Sequence, residues 1–355
     1  MTATDEKLAT IHAVTANFDA IFTWDYKRSR PALGKLYEKA KTSQWNASTD
    51  LDWAIDVDPE KIGRELGGGG TARFQALKEA EGSPVKHFGD KEWNQVSIEL
   101  QNSMLSQFMH GEQGALICTA RIVETVPWID AKYYAATQVV DEARHVEVFA
   151  RYLDEKLDSQ YGINDNLRGI LDEILRDPRW DIAYLGMQIM VEGLALAAFG
   201  MMHQITTEPL LKKLLRYVMS DEARHVAFGV LSLKEYYEQL TDKEMRERQE
   251  FCFEVATRLQ RRFMQTEMWE RMGVDPQAIY ATMNRVNPPQ QQAFQALLFS
   301  KIVPNCKKLG LLDAADGWLR QKFTEVGVIQ FEDWADTGEE YDELDEVARD
   351  RAEVA

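Results

Sequence analysis

A five-residue word, Asp-Glu-Ala-Arg-His, occurs twice in this chain, at 141–145 and again at 221–225. The glutamate of each copy is preceded, 30 positions earlier, by another glutamate in an apolar stretch: Glu112 before Glu142, and Glu192 before Glu222. Five pairs therefore share one offset of 80: Glu112 with Glu192, Asp141 with Asp221, Glu142 with Glu222, Arg144 with Arg224, and His145 with His225. The residues after each leading glutamate echo one another as well, Glu-Gln-Gly-Ala-Leu against Glu-Gly-Leu-Ala-Leu. A duplicated pair of helices accounts for all of this, and few folds accommodate it.

Hydrophobic periodicity supplies the helices. Leu100, Met104, Phe108, Leu116 and Val123 are among the apolar positions of an expected helix over 91–125. Val126-Pro127 breaks it, with Pro127 suited to the first turn of the next helix, expected over 128–157. A crossover then passes through a short helix near 166–176 to a third long helix over 179–205 and a fourth over 209–240. Glu112 lies 14 residues before the first break and Glu142 lies 15 after Pro127. At the α-helical rise each is about 21 Å from the turn, so in an antiparallel pair they meet at one height. Glu192 and Glu222 flank the second break in the same way. The expected fold is all-α: a four-helix bundle of the ferritin-like kind with additional N- and C-terminal helices. Residues 1–90 read as an N-terminal extension packed on the core, 91–240 as the bundle, 241–330 as further helices of the same domain, and 331–355 as an acidic tail. Thr241-Asp242-Lys243-Glu244 is a capping box, predicting a helix over 241–272. Gly67 to Gly70 read as a flexible connection, because no Gly-Lys-Ser/Thr follows them.

Glu-x-x-His on a helix sets both side chains on one face. Two such pairs with Glu112 and Glu192 offer four carboxylates and two imidazoles, a set that suits two iron or manganese ions with bridging oxygens. A structural zinc site would want thiolates or more histidines. Unpaired carboxylates among Phe108, Ala115, Leu116, Met190, Val191 and Leu194 are costly, and no Lys or Arg stands three or four residues from Glu112 or Glu192. The neighbours of the ligands are read as supports. Asp141 and Asp221 point about 100° away from Glu142 and Glu222 around their helices. They are expected to serve the histidines across the bundle, Asp141 to His225 and Asp221 to His145, with Arg144 and Arg224 balancing the charge.

Composition narrows the remaining choices. A formal charge of −17 gives no basic stripe for nucleic acid. Three scattered cysteines with no Cys-x-x-Cys predict reduced thiols and a cytoplasmic setting. No basic-then-apolar leader opens the sequence, and no apolar run is expected to span a bilayer.

The duplicated Glu…Asp-Glu-x-Arg-His pattern resembles the di-iron carboxylate oxygenases of the ferritin-like superfamily. These include multicomponent monooxygenase hydroxylases, acyl-carrier-protein desaturases, arylamine N-oxygenases and the radical-bearing subunit of class I ribonucleotide reductase. The resemblance covers roughly 91–240 and matches all six ligand positions. It departs from each group in turn. Phe149 stands where the reductase subunit has its radical tyrosine, and Glu112 where that subunit commonly has aspartate. Leu196 stands in place of a hydroxylase threonine, and Val218 in place of the third histidine of the N-oxygenases. The resemblance implies two irons, or manganese with iron, that activate dioxygen to hydroxylate or N-oxygenate a small, partly apolar substrate. Acyl desaturation, iron oxidation and radical storage are the alternatives. Ala115, Leu116, Phe149, Leu196 and Phe199 are the candidate pocket residues. With no flavin or iron–sulfur motif in the chain, electrons are expected from a separate ferredoxin or reductase, and the sequence leaves a homodimer open.

Overall fold

The computed structural model describes residues 11–66, 72–157, 159–286 and 289–334. Among the described residues there are helices and no strands. The N-terminal segment contributes α1 (Pro31–Thr42), α2 (Pro59–Leu66) and α3 (Ala72–Glu79). The bundle and its crossover are α4 (Asp90–Thr125), α5 (Ile129–Tyr152), α6 (Asp165–Arg176), α7 (Trp180–Tyr184), α8 (Glu192–Ile205) and α9 (Pro209–Tyr237). The C-terminal helices are α10 (Asp242–Arg262), α11 (Thr266–Arg271), α12 (Pro276–Val286), α13 (Pro289–Lys308) and α14 (Trp318–Glu325). The expected glycine connection at 67–70 and nearly all of the acidic tail lie outside the described residues.

Several helix starts have a local cause. Glu92 accepts the Gly89 N–H at 2.8 Å ahead of α4. Asn164 caps α6 by accepting from Asn166 N at 2.9 Å. The Glu208 carboxylate takes the orphan N–H groups of Leu210 and Leu211 at 2.8 and 2.6 Å, while Pro209 occupies the first turn of α9. The capping box at Thr241 forms as its sequence predicts, with Glu244 Oε2 accepting from Thr241 N at 2.8 Å.

Two departures from the sequence expectation matter. The third bundle helix is one 26-residue run, Trp180–Ile205, whose segment Leu185–Val191 winds as a π-helix between α7 and α8. An 18-residue stretch of it, with a mean hydropathy of 1.6, is long and apolar enough to cross a bilayer, contrary to expectation, yet 94% of that stretch is buried inside the protein. The helix meets solvent at its C-terminal end, where Gln204 and Ile205 are exposed. The other departure is the helix expected over 241–272, which stops at Arg262. Gln265 there takes a left-handed backbone (φ 57°), a conformation costing about 1–2 kcal/mol for an L-residue with a side chain. Its buried side chain accepts a hydrogen bond from Ser103 Oγ at 2.7 Å, which ties the turn to α4.

Of three apolar clusters among the described residues, one joins the start of α4 to α3, α11 and α12, and the other two lie on either side of the polar middle of the bundle. Ala115, Ile122, Tyr134, Leu194, Val226 and Phe228 belong to one cluster. Leu105, Phe108, Val148, Phe149, Phe199 and Val218 belong to the other. Each of the four bundle helices thus runs from one of these two clusters to the other, crossing Glu112, Glu142 and His145, Glu192, or Glu222 and His225 on the way. The N-terminal extension completes one side: α1 packs on α5 and α9, and Trp45 belongs to the second cluster.

Candidate metal centre

The structure brings all six duplicated side chains together at mid-height, none more than 4% exposed. One atom each from Glu112, Glu142, His145 and Glu222 converge within 4.8 Å, and so do atoms from Glu142, Glu192 and His225. His145 Nδ1 lies 3.2 Å from Glu112 Oε2, 3.5 Å from Glu142 Oε2 and 3.0 Å from Glu222 Oε1. His225 Nδ1 lies 3.1 Å from Glu142 Oε1 and 3.6 Å from Glu222 Oε2. Glu142 and Glu222 therefore each turn one oxygen toward either histidine, the placement of bridging carboxylates. Glu112 stands at the His145 end and Glu192 at the His225 end.

The outer ring nitrogens face away from this cluster. His145 Nε2 is 3.2 Å from Asp221 Oδ2, and His225 Nε2 is 3.2 Å from Asp141 Oδ2. With the ring proton on Nε2 donated to an aspartate, Nδ1 presents its lone pair inward. Arg144 donates to Asp141 and, at 3.4 Å, to Asp221. Arg224 donates to Asp221 and, at 3.5 Å, to Asp141. Burial opposes ionisation of Asp221, but Arg224 and His145 outweigh it and hold the carboxyl far below its usual range.

Three groups that sequence reasoning did not pick out join the site. Trp45 Nε1 donates to Asp221 Oδ2 at 2.7 Å, its ring lies 6.4 Å from that of His145, and the Arg144 guanidinium sits 5.1 Å over it. Gln138 donates to Glu142 Oε1 at 2.9 Å and to Glu192 Oε1 at 3.1 Å. Gln138 precedes Glu142 by one helical turn, so its face was readable from spacing. Arg262 arrives from α10 and lines the cleft over the carboxylates; nothing local in the sequence announces it.

That cleft has apolar walls from Phe108, Ala115, Val191 and Ala195, and Glu112, Glu192 and Glu222 open onto it. It is narrow, about 10 Å³, the room that one water needs. Of the candidate pocket residues, Ala115 lines it. Leu116, Leu196, Phe149 and Phe199 do not. Leu196 follows Glu192 by four residues and turns into the first apolar cluster, whereas Ala195, at three, faces the cleft. Phe149 and Phe199 stack with centroids 5.6 Å apart and close the far side of the bundle against Phe108.

The donor set fits a pair of divalent cations. Glu142 Oε2, Glu192 Oε2, both oxygens of Glu222 and His225 Nδ1 are buried without a hydrogen-bond partner, each an expensive orphan unless a cation takes it. Four glutamate charges equal those of two divalent ions, while Asp141 and Asp221 match Arg144 and Arg224. Without a cation the site must hold protons instead. Burial, with Glu222 nearby, pushes Glu112 up to about 8, and burial beside Glu142 and Glu222 raises Glu192 well above its ordinary value.

No family model matches the chain, and no curated protein matches it. Its fold is similar to solved R2-like ligand-binding oxidases. One, with an aerobically reconstituted metal cofactor after photoconversion, aligns at TM-score 0.50 and 18% identity, covering 80% of this chain and 94% of that one. A Y715F mutant with an anaerobically reconstituted Mn/Fe cofactor aligns at TM-score 0.49 and 19% identity, over 81% and 93% of the two chains. The likeness is one of fold, and it places this chain among the all-α bundles of the ferritin-like kind.

Proposed function

We propose that this protein is a dioxygen-activating, non-haem di-metal oxidase acting on a small, partly apolar organic molecule by hydroxylation or N-oxygenation. The observation that carries the reading is the pair of buried glutamate–histidine clusters that share Glu142, with Glu222 of the first cluster reaching to 3.6 Å from His225 Nδ1 and orphaned ligand atoms facing inward. Glu112 and His145 would hold one ion, Glu192 and His225 the other, and Glu142 and Glu222 both. Mixed oxygen and imidazole ligation suits two irons, or manganese with iron; the oxidase of similar fold also carries a metal cofactor reconstituted in air. Such a pair supplies redox chemistry with dioxygen that no amino-acid side chain provides.

The chain's own residues do the rest. Asp141 and Asp221 fix the ring orientation and the proton position of the histidines. Gln138 fixes the rotamers of Glu142 and Glu192. Phe108, Ala115, Val191 and Ala195 keep bulk water from the cleft, which protects a reactive oxidant from quenching. Reducing equivalents come from a separate donor protein.

Phe149 favours oxidation of a guest over radical storage. It is fully buried one turn after His145, and it has no oxidisable hydroxyl. The test begins with metal analysis: two ions per chain in the wild type, and at least one position empty in Glu142→Ala or His225→Ala. The reduced, loaded protein should then consume oxygen without leaving a long-lived tyrosyl signal in electron paramagnetic resonance. Full occupancy in both variants, or a persistent tyrosyl radical lost in Tyr152→Phe, overturns the proposal.

A further inference from the structure

Arg262 is the last residue of α10, and its guanidinium lines the cleft with Glu112, Glu192 and Glu222. It is 5% exposed, yet its side chain makes no hydrogen bond and no ion pair among the described residues. Its contacts are aromatic: the guanidinium carbon sits 5.6 Å from the centre of the Phe108 ring and 5.4 Å from that of Phe263. Every other buried arginine near the metals is neutralised, Arg144 and Arg224 by Asp141 and Asp221. With two divalent ions against four glutamates, Arg262 leaves the loaded site one positive charge in excess. A buried cation is costly, and cation–π contacts return only part of that cost. Burial accordingly lowers Arg262 to about 10, against the pull of Glu112.

We propose that Arg262 receives the carboxylate of the substrate, so that this oxidase acts on a small organic acid with an apolar body. The inference rests on the di-metal reading and specifies its substrate class. A guanidinium presents a planar fork of donors that matches a carboxylate with two parallel hydrogen bonds. One monoanion there cancels the excess charge. The apolar part of the guest then lies along Phe108, Ala115, Val191 and Ala195, on the side where the three glutamates open. Because the cleft is so narrow, a guest must displace side chains to enter. Arg262 is the long, flexible side chain in its wall, held at a helix end and not within an ion pair. Binding draws the guanidinium onto the carboxylate, and the same motion opens the path.

The test uses the full chain loaded with Mn(II), titrated calorimetrically with benzoate and with benzamide, its neutral counterpart. Benzoate is expected to bind the wild type at least 10-fold more tightly than benzamide. Arg262→Gln should weaken benzoate by roughly 10–100-fold, the size of a lost charge-assisted pair, and leave benzamide unchanged. Arg262→Lys, which keeps charge but not the fork, should fall between them. Metal content, measured in parallel, separates the two readings: two ions per chain in Arg262→Gln with benzoate binding lost supports the inference. Equal benzoate affinity in wild type and Arg262→Gln overturns it, as does wild-type binding of benzamide as tight as benzoate. Loss of metal from Arg262→Gln also overturns it, because Arg262 would then be a counter-charge of Glu112. A wild type that holds no metal instead overturns the di-metal reading. If Arg262→Gln does not fold, the benzoate–benzamide comparison and Arg262→Lys still decide.

Discussion

Replacing Asp221 by asparagine changes one oxygen to an amide and removes one charge, and the structure indicates where the loss falls. Oδ2 receives Trp45 Nε1 at 2.7 Å and His145 Nε2 at 3.2 Å, while Oδ1 receives Arg224. Arg144 also donates to Oδ2, at 3.4 Å, so all four partners are donors. Whichever way the new amide is turned, its NH2 faces a donor: Arg224 in one orientation, Trp45, His145 and Arg144 in the other. Arg224 is 2% exposed and would be left with one carboxylate, Asp141 at 3.5 Å, besides the Ser220 carbonyl at 3.1 Å. Breaking a buried ion pair from one side costs about 3–5 kcal/mol, and the orphaned donor is part of that. Apoprotein stability should therefore fall by roughly 3 kcal/mol, read as a lower urea midpoint at unchanged slope. Metal affinity should fall by about 10–100-fold, because His145 loses the partner that sets its orientation. Asp141→Asn should weaken the His225 side similarly but cost less stability, since no tryptophan bonds to Asp141 at short range. A variant Asp221→Asn with wild-type metal affinity and wild-type urea midpoint would falsify the account of the supporting ring.

Three further outcomes follow from particular contacts. Trp45→Phe keeps the ring in its cluster but removes a hydrogen bond to a charged acceptor, and it should cost about 1.5–3 kcal/mol in urea unfolding; a loss below 0.5 kcal/mol, within the usual surface range, contradicts this. Gly229→Ala would set a Cβ 2.7 Å from Gln188 Cβ and 3.2 Å from Ile189 Cδ1, both in the π-helical turn, and should destabilise by about 1–3 kcal/mol. An unchanged midpoint would show that this turn yields. Glu112, pushed up to about 8, binds a proton in the folded apoprotein that the unfolded chain has released above its ordinary carboxylate value. Its contribution to stability is full below that ordinary value and disappears as pH rises through about 8, at roughly 1.4 kcal/mol per pH unit between them. Thermal scans of apoprotein should show this decline and scans of the metal-loaded form should not; equal slopes refute it.

The bundle was legible because its signals are local and repeated. The 80-residue offset and the two proline-marked breaks align four helices, and the Glu-x-x-His spacing selects the faces that meet. What stayed hidden depends on contacts distant in sequence. Trp45 and Asp221 are separated by 176 positions, and Arg262 reaches Phe108 from another part of the chain. The end of α10 was illegible for another reason. No glycine or proline marks it, and the turn holds through the Gln265–Ser103 hydrogen bond, which only the folded chain supplies. The choice between Ala195 and Leu196 as wall of the cleft turns on a single residue of helical rotation, finer than periodicity resolves.

The reciprocal contacts of the two histidines carry a consequence for ancestry. His145 faces Glu222 and Asp221, and His225 faces Glu142 and Asp141, so each half of the duplication completes the other. This is the contact pattern of an isologous two-fold dimer, written into one chain. A half-length ancestor with one glutamate helix and one Asp-Glu-x-Arg-His helix could have built the whole site by pairing with a copy of itself. Fusion then released the halves to diverge. Gln138 corresponds to Val218 and Phe149 to Gly229, while Trp45 bonds Asp221 and Arg262 sits by Glu112. None of these groups has a counterpart at the matching place of the other half, so the two histidine ends of the cluster are now chemically distinct.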